Sequence, residues 1–267
     1  MDRASPVLGR PSTAAAAAAA LRQRGSACDA SFRADGGDSE WWAVRAASVA
    51  GVRHRLAAEP GQDSFAWTYD ADRLVVAVAD GLGGVPGSGH TAGRAVAGAV
   101  DAVIAAGGSA AAQIEAGLDA ANQAAGGGGA TTIVLAVVGK DGAAQVARVG
   151  DSTAFLVSAG GSHWRELFAA PADDVVGTVT AALPADEVQA ERGVVTIRPG
   201  DLLVLVTDGV ADPWRDGPTT VAPALAAALA GRPGPLELAV LADFSRQGCH
   251  DDRTMLAVWR TPAPAGG

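Results

Sequence analysis

The stretch LVVAVADGLGGVPGSG, residues 74–89, decides the reading of the chain. Leu74 to Ala79 form a continuous apolar run that reads as a buried strand. The run passes directly into Asp80-Gly81-Leu82-Gly83-Gly84, a carboxylate at the head of a tight glycine turn. With no side chains over it, such a loop offers a hard cation both a charged oxygen and bare backbone carbonyls. An ordinary Asp-Gly turn is the alternative that this stretch alone leaves open.

The same arrangement recurs along the chain. Leu202 to Thr207 is a second apolar run, and it meets Asp208-Gly209-Val210-Ala211-Asp212. Gln62-Asp63-Ser64-Phe65 leads into another short strand, and Asp251-Asp252-Arg253 precedes a last strand, Thr254 to Trp259. A lone Asp at a strand end is usually a turn former. Asp63, Asp80, Asp208 and Asp251, each at the edge of a core strand, are better explained as one cluster with cations between them. Oxygen ligands without His or Cys companions select Mg²⁺ or Mn²⁺ over zinc or copper. Two such ions can hold a water between them, lower its pKa and aim it at phosphorus.

Between these points the pattern alternates strands and helices. WWAVRAASVAG from Trp41 reads as a strand, followed by the basic loop Gly51-Val52-Arg53-His54-Arg55. Thr91 to Ala106 carries a helical stripe through Ala92, Ala95, Val96, Ala99, Val100 and Val103, and Ser109 to Ala124 carries another. Thr131 to Val138, Ala144 to Val149 and Thr153 to Val157 are three strands joined by Lys140-Asp141-Gly142 and Gly150-Asp151-Ser152, which predicts an antiparallel meander. A strand at 163–168, a turn at 198–201 after Val194 to Ile197, and helices over 219–230 and 236–246 complete the pattern. Residues 1–40, with the Ala14 to Ala20 run, read as a disordered tail, 41–260 as one domain, and 261–267 as a short tail.

Composition narrows the classes. A chain of 267 residues with 49% apolar content can bury a real core, and a net charge of -9 argues against nucleic acid or an anionic membrane as partner. Two cysteines, Cys28 and Cys249, make neither a disulfide framework nor a zinc site and fit a reducing, cytoplasmic setting. Ser26-Ala27-Cys28 makes a poor lipoprotein cleavage site, because alanines are a weak apolar region ahead of it.

Asp80-Gly81-Leu82-Gly83-Gly84, Gly129-Ala130-Thr131-Thr132, Val149-Gly150-Asp151-Ser152, Thr207-Asp208-Gly209-Val210-Ala211-Asp212 and Asp251-Asp252-Arg253-Thr254, in this order and spanning 48–260, resemble the metal-dependent protein phosphatases of the 2C type (PP2C). The resemblance implies an α+β fold, a four-layer αββα sandwich of two mainly antiparallel sheets flanked by helix pairs. It also implies two Mn²⁺ or Mg²⁺ ions, a bridging water as nucleophile, and phosphorylated Ser/Thr proteins as substrates. By motif, Asp80 would bridge the ions, the Gly81 carbonyl would bind one, and Asp208 and Asp251 the other. Asp63 would act on the metals or their waters, and Asp151 and Asp212 match a third, weaker ion site. Where the family often has Glu-Asp, this chain has Gln62-Asp63, one negative charge fewer; a bacterial subgroup shares Ser48, Gly51, His54, Gln62 and Asp63. Arg53 and His54 are the candidates to clamp phosphate, with Arg55 beside them.

Two other classes compete. Gly84-Val85-Pro86-Gly87-Ser88-Gly89-His90-Thr91 fits the nucleotide-binding P-loop pattern except that His90 stands where the lysine belongs. A binding or regulatory module that kept the fold without competent metals is the other, and Gln62 is the residue that would favour it.

Overall fold

The computed structural model describes residues 24–27, 32–70, 72–168, 180–215 and 221–261, the first of these as backbone alone. The elements run β1 (Arg24–Ala27), β2 (Phe32–Asp38), β3 (Trp42–Val49), α1 (Val52–Ala57), β4 (Ser64–Tyr69), β5 (Arg73–Ala79), α2 (Ser88–Ala105) and α3 (Ala110–Ala125). They continue with β6 (Ile133–Gly139), β7 (Ala143–Val149), β8 (Thr153–Val157), β9 (Trp164–Glu166), β10 (Glu191–Thr196), β11 (Leu202–Val206), α4 (Asp208–Arg215), α5 (Val221–Ala230), α6 (Pro235–Ala242) and β12 (Arg253–Arg260). One sheet has the order β1-β4-β5-β6-β7-β10 and the other β2-β3-β12-β11-β8-β9. Every pairing among the described residues is antiparallel.

The apolar runs are continuous because each sheet is covered on both faces. Along β5, Leu74, Val76 and Val78 enter a core between the sheets with Trp42, Phe65 and Leu205, whereas Val75, Ala77 and Ala79 face α2 and α3. On the other side Phe155, Val204 and Trp259 pack against Trp214 of α4, Leu225 of α5 and Leu238 of α6. Alternate residues of one strand therefore serve two different cores. The result is the αββα sandwich, and each fully buried Val or Leu in it contributes about 1.5–3 kcal/mol.

Three sequence expectations are corrected. Order begins before Trp41: β2, FRADGGD, pairs along its length with β3, and β1 pairs with β4. Backbone pairing to an edge, and not side-chain pattern, makes these strands. Second, only β6 and β7 form the expected hairpin, because Gly150-Asp151-Ser152 carries the chain from β7 in one sheet to β8 in the other. The turn at 198–201 likewise joins β10 and β11 across sheets. Third, the basic stretch after Gly51 is the short helix α1 and not a loop. The helix start expected at Thr219, most of the N-terminal stretch and the last six residues lie outside the described residues. Among the described residues no helix is long and apolar enough to cross a membrane.

The P-loop alternative does not fit. β5 lies in an antiparallel sheet, and the hydroxyls of Ser88 and Thr91 donate to the carbonyls of Val85 at 2.8 Å and Gly128 at 2.6 Å.

Candidate active site

Strand register alone gathers the carboxylates. Ser64 pairs with Ala79, which sets Asp63 beside Asp80 at one end of the first sheet. Thr153 pairs with Val206, which sets Asp151 beside Asp208, and Val49 pairs with Arg253, which brings the Asp251-Asp252 turn next to Gly51. Because the crossover at 150–152 starts in one sheet and ends in the other, Asp151 sits where the two ends meet.

Hydroxyls stitch the strand ends together. Thr207 Oγ1 donates to Asp63 Oδ2 at 2.7 Å and accepts from the Thr254 amide at 3.0 Å. Thr132 Oγ1 accepts from the Asp80 amide at 3.1 Å and pairs with Ser152 Oγ at 2.7 Å. The Asp80 carbonyl accepts from Thr131 Oγ1 at 2.8 Å and from the Thr132 amide at 2.9 Å. Asp80 is thus fixed at its backbone, and its carboxylate projects from a rigid base.

Asp80, Asp151 and Asp208 each present a carboxylate oxygen within 4.8 Å of the other two. Asp251 joins them on the wall of a cavity of about 450 Å³ that Arg53, His54, Thr132 and Thr180 also line. Burial, the Asp63 charge and the Asp208 charge hold the Asp80 carboxyl well above the usual carboxylate range. Asp63 is raised as well, by burial and then by Asp252. Asp208 is pushed up to about 7, by burial and by the charges of Asp251 and Asp151. Asp63 Oδ1 and Asp151 Oδ1 are buried with no hydrogen-bond donor among the described residues. Like charges crowded this way, with bare oxygens among them, fit a divalent cation: it would replace mutual repulsion by attraction. The donor set, all oxygen, fits Mg²⁺ or Mn²⁺.

The expected residues separate in space. Asp63, Asp80, Asp151, Asp208 and Asp251 converge. Asp212 is exposed, pairs with Arg215 at 2.9 Å, and lines an adjoining cavity of about 280 Å³ with Asp208, Asp251, Arg53, Cys249 and His250. Gly81 is buried, and a Cβ there would come within 2.7 Å of the Ser88 carbonyl carbon and 2.8 Å of Gln62 O. Its φ is not positive, so close approach and not turn geometry demands the glycine. Of the three basic residues, Arg53 and His54 face the cavity, whereas Arg55 pairs with Asp243 at 3.0 Å. The geometry also shows what sequence reasoning missed. Asp252, beside the expected ligand Asp251, turns inward and accepts from Gly51 N at 2.6 Å, Gln62 N at 2.5 Å and His54 Nδ1 at 2.8 Å.

A sequence profile of the protein phosphatase 2C family matches residues 50–232, from the turn after β3 to the end of α5. The chain belongs to the protein phosphatase 2C family. That membership makes it a protein serine/threonine phosphatase by class, and its fold agrees with solved structures. The Mycobacterium tuberculosis serine/threonine phosphatase PstP is 21% identical over 83% of this chain and all of its own, with a TM-score of 0.61. The catalytic domain of PstP in complex with two manganese ions is 23% identical over 91% of this phosphatase and all of that chain, TM-score 0.58. The photosystem II phosphatase PBCP is 18% identical over 84% of this chain and all of its own, TM-score 0.62. No curated protein matches the sequence.

Proposed function

We propose that this phosphatase hydrolyses phosphoserine and phosphothreonine in proteins with two Mn²⁺ or Mg²⁺ ions bound at the carboxylate cluster. The observation that carries the reading is the convergence of Asp80, Asp151 and Asp208 within 4.8 Å, beside Asp251 and the bare oxygen of Asp63. Asp80, Asp208 and Asp251 would hold the two ions together with the Gly81 carbonyl, and Asp151 and Asp212 would support a third, weaker one. Divalent cations there lower the pKa of water and balance the charge on a phosphoryl group. Asp63, held at Oδ2 by Thr207, is positioned to accept hydrogen bonds from waters in the cluster. Arg53, exposed at the rim of the cavity, supplies the fixed positive charge that orients a phosphate dianion. The manganese-bound neighbour supports the choice of cation, and the neighbours named as serine/threonine phosphatases support the substrate class.

The test is hydrolysis of an aryl phosphate with and without Mn²⁺ by wild type, Asp80→Ala and Asp208→Ala. Activity that needs Mn²⁺ and is lost in both variants is expected. Activity surviving EDTA, or both substitutions, would sink the reading, and absence of activity in wild type with full Mn²⁺ binding would favour a non-catalytic module.

A further inference from the structure

We infer that His54 is the acid that protonates the departing alcohol, and that Asp252 is the positioning residue that fixes it. This rests on the phosphatase reading above. Asp252 is 2% exposed and lies between two backbone amides, Gly51 N–H on Oδ1 and Gln62 N–H on Oδ2. Amides only donate, so the carboxylate accepts on both oxygens, and the His54 ring completes the set by donating from Nδ1 at 2.8 Å. That fixes the neutral tautomer and leaves Nε2, on the far edge of the ring, to the cavity that His54 lines with the carboxylates. A ring 17% exposed and tied at one nitrogen has little freedom to turn.

The chemistry needs such a group. When the ester P–O bond of an alkyl phosphate breaks, its electron pair goes to a strongly basic serine or threonine oxygen. The imidazolium form of His54 gives its Nε2 proton to that oxygen, which yields the alcohol and leaves the neutral ring protonated at Nδ1. The attacking water forms the new P–O bond and loses a proton to solvent, and solvent reprotonates the imidazole. The products are alcohol and inorganic phosphate. The other groups on this wall do not suit the task. Arg53 cannot deprotonate, Thr132 is bonded to Ser152 and Thr180 to Asp151, and the loop at 82–84 offers Leu and Gly. The carboxylates that hold cations stay ionised.

The experiment compares p-nitrophenyl phosphate, whose phenolate leaves without a proton, with O-phosphoserine, whose alkoxide does not. Wild type, His54→Gln, Asp252→Asn and His250→Gln are assayed with Mg²⁺, and the ratio of the two kcat values is read, since a misfolded fraction cancels in the ratio. His54→Gln is expected to lower kcat on phosphoserine by about 10²-fold or more and on the nitrophenyl ester by less than about 10-fold. Asp252→Asn is expected to shift the ratio the same way by a smaller factor, and His250→Gln to leave it unchanged. Equal losses on both substrates in His54→Gln, or the split appearing in His250→Gln instead, overturn the inference and leave the phosphatase reading standing. A wild type that hydrolyses neither ester overturns both. Independently of turnover, ¹⁵N NMR of the histidines, with His54→Gln to assign the signal, is expected to show the neutral His54 ring protonated at Nδ1; protonation at Nε2 overturns the positioning role.

Discussion

Asp80 and Asp208 open on the same local sequence, an apolar strand followed by Asp-Gly, and the chain then takes them in opposite directions. Asp80 leads into a glycine loop in which Leu82-Gly83-Gly84-Val85-Pro86 cannot sustain a helix. Asp208 begins α4, because Val210 and Trp214, four residues apart, face the core and Trp214 stacks on Phe155 at 4.7 Å. Asp80 lines the larger cavity, whereas Asp208 lines both cavities. One carboxylate is therefore a rigid anchor among like charges; the other is a wall shared with the rim that carries Asp212 and His250. The lesson is that Asp-Gly at a strand end marks the site, while the residues after it decide how open that side of the site is.

Activity should break the symmetry first. At saturating Mn²⁺, Asp80→Asn is expected to lower kcat on the order of 10³-fold, and Asp208→Asn roughly 10²-fold, since the more open position is easier for water to fill. Equal losses would mean that the two sides are equivalent in function despite their different surroundings.

Stability without metal sharpens the same contrast. Folding raises the pKa of Asp63, Asp80 and Asp208 above the ordinary carboxylate value, the last to about 7. The folded chain then binds more protons than the unfolded chain from about pH 4 upward, so the slope of stability against pH is negative there. In EDTA, denaturant unfolding should show stability falling from about pH 4 to 7 by on the order of a few kcal/mol. Asp80→Asn should remove more of that fall than Asp208→Asn, and Mn²⁺ should flatten it in wild type by binding only the folded state. A metal-free protein that grows more stable over this range would contradict the crowding of charges seen here.

The glycines after the two Asp residues respond to contact. An alanine at Gly81 would press on Ser88 and Gln62, and Gly209 faces the Asp252 carbonyl in the same manner. Gly81→Ala is expected to cost about 1–3 kcal/mol in urea unfolding.

Much of this was legible in the sequence, and the illegible parts share a cause. Buried strands show in Leu74 to Ala79 and Leu202 to Val206 because both faces are apolar, and the helix pair α2 and α3 shows in its stripe. β2 did not show, because FRADGGD is mostly polar and glycine: Ala34 packs against the core, Phe32 stays half-exposed, and the strand form rests on backbone bonds to β3. The sheet switch at 150–152 did not show either, since a short polar connection looks the same whether the next strand pairs with its neighbour or with β11. For the site, the strand-end Asp residues were visible, but in Asp251-Asp252 nothing local tells which carboxylate points inward. That is decided by amides 201 and 190 residues away, at Gly51 and Gln62.

The smallest effect belongs to α1, where one short helix distributes three basic side chains to three environments. Arg53 stands at the rim of both cavities, His54 is bound to Asp252, and Arg55 pairs at the surface with Asp243, each partner about two-fifths exposed. An exposed ion pair is worth little, because solvent screens it and two flexible side chains must be ordered to make it. Arg55→Ala is therefore expected to change unfolding free energy by under about 0.5 kcal/mol and to leave kcat and KM for an aryl phosphate within error of wild type. Arg53→Ala, one residue from His54 and two from Arg55, should raise KM about 10-fold or more through loss of a phosphate contact. A KM increase in Arg55→Ala of similar size would mean that the basic helix acts through its summed field and not through the one guanidinium that reaches the cavity.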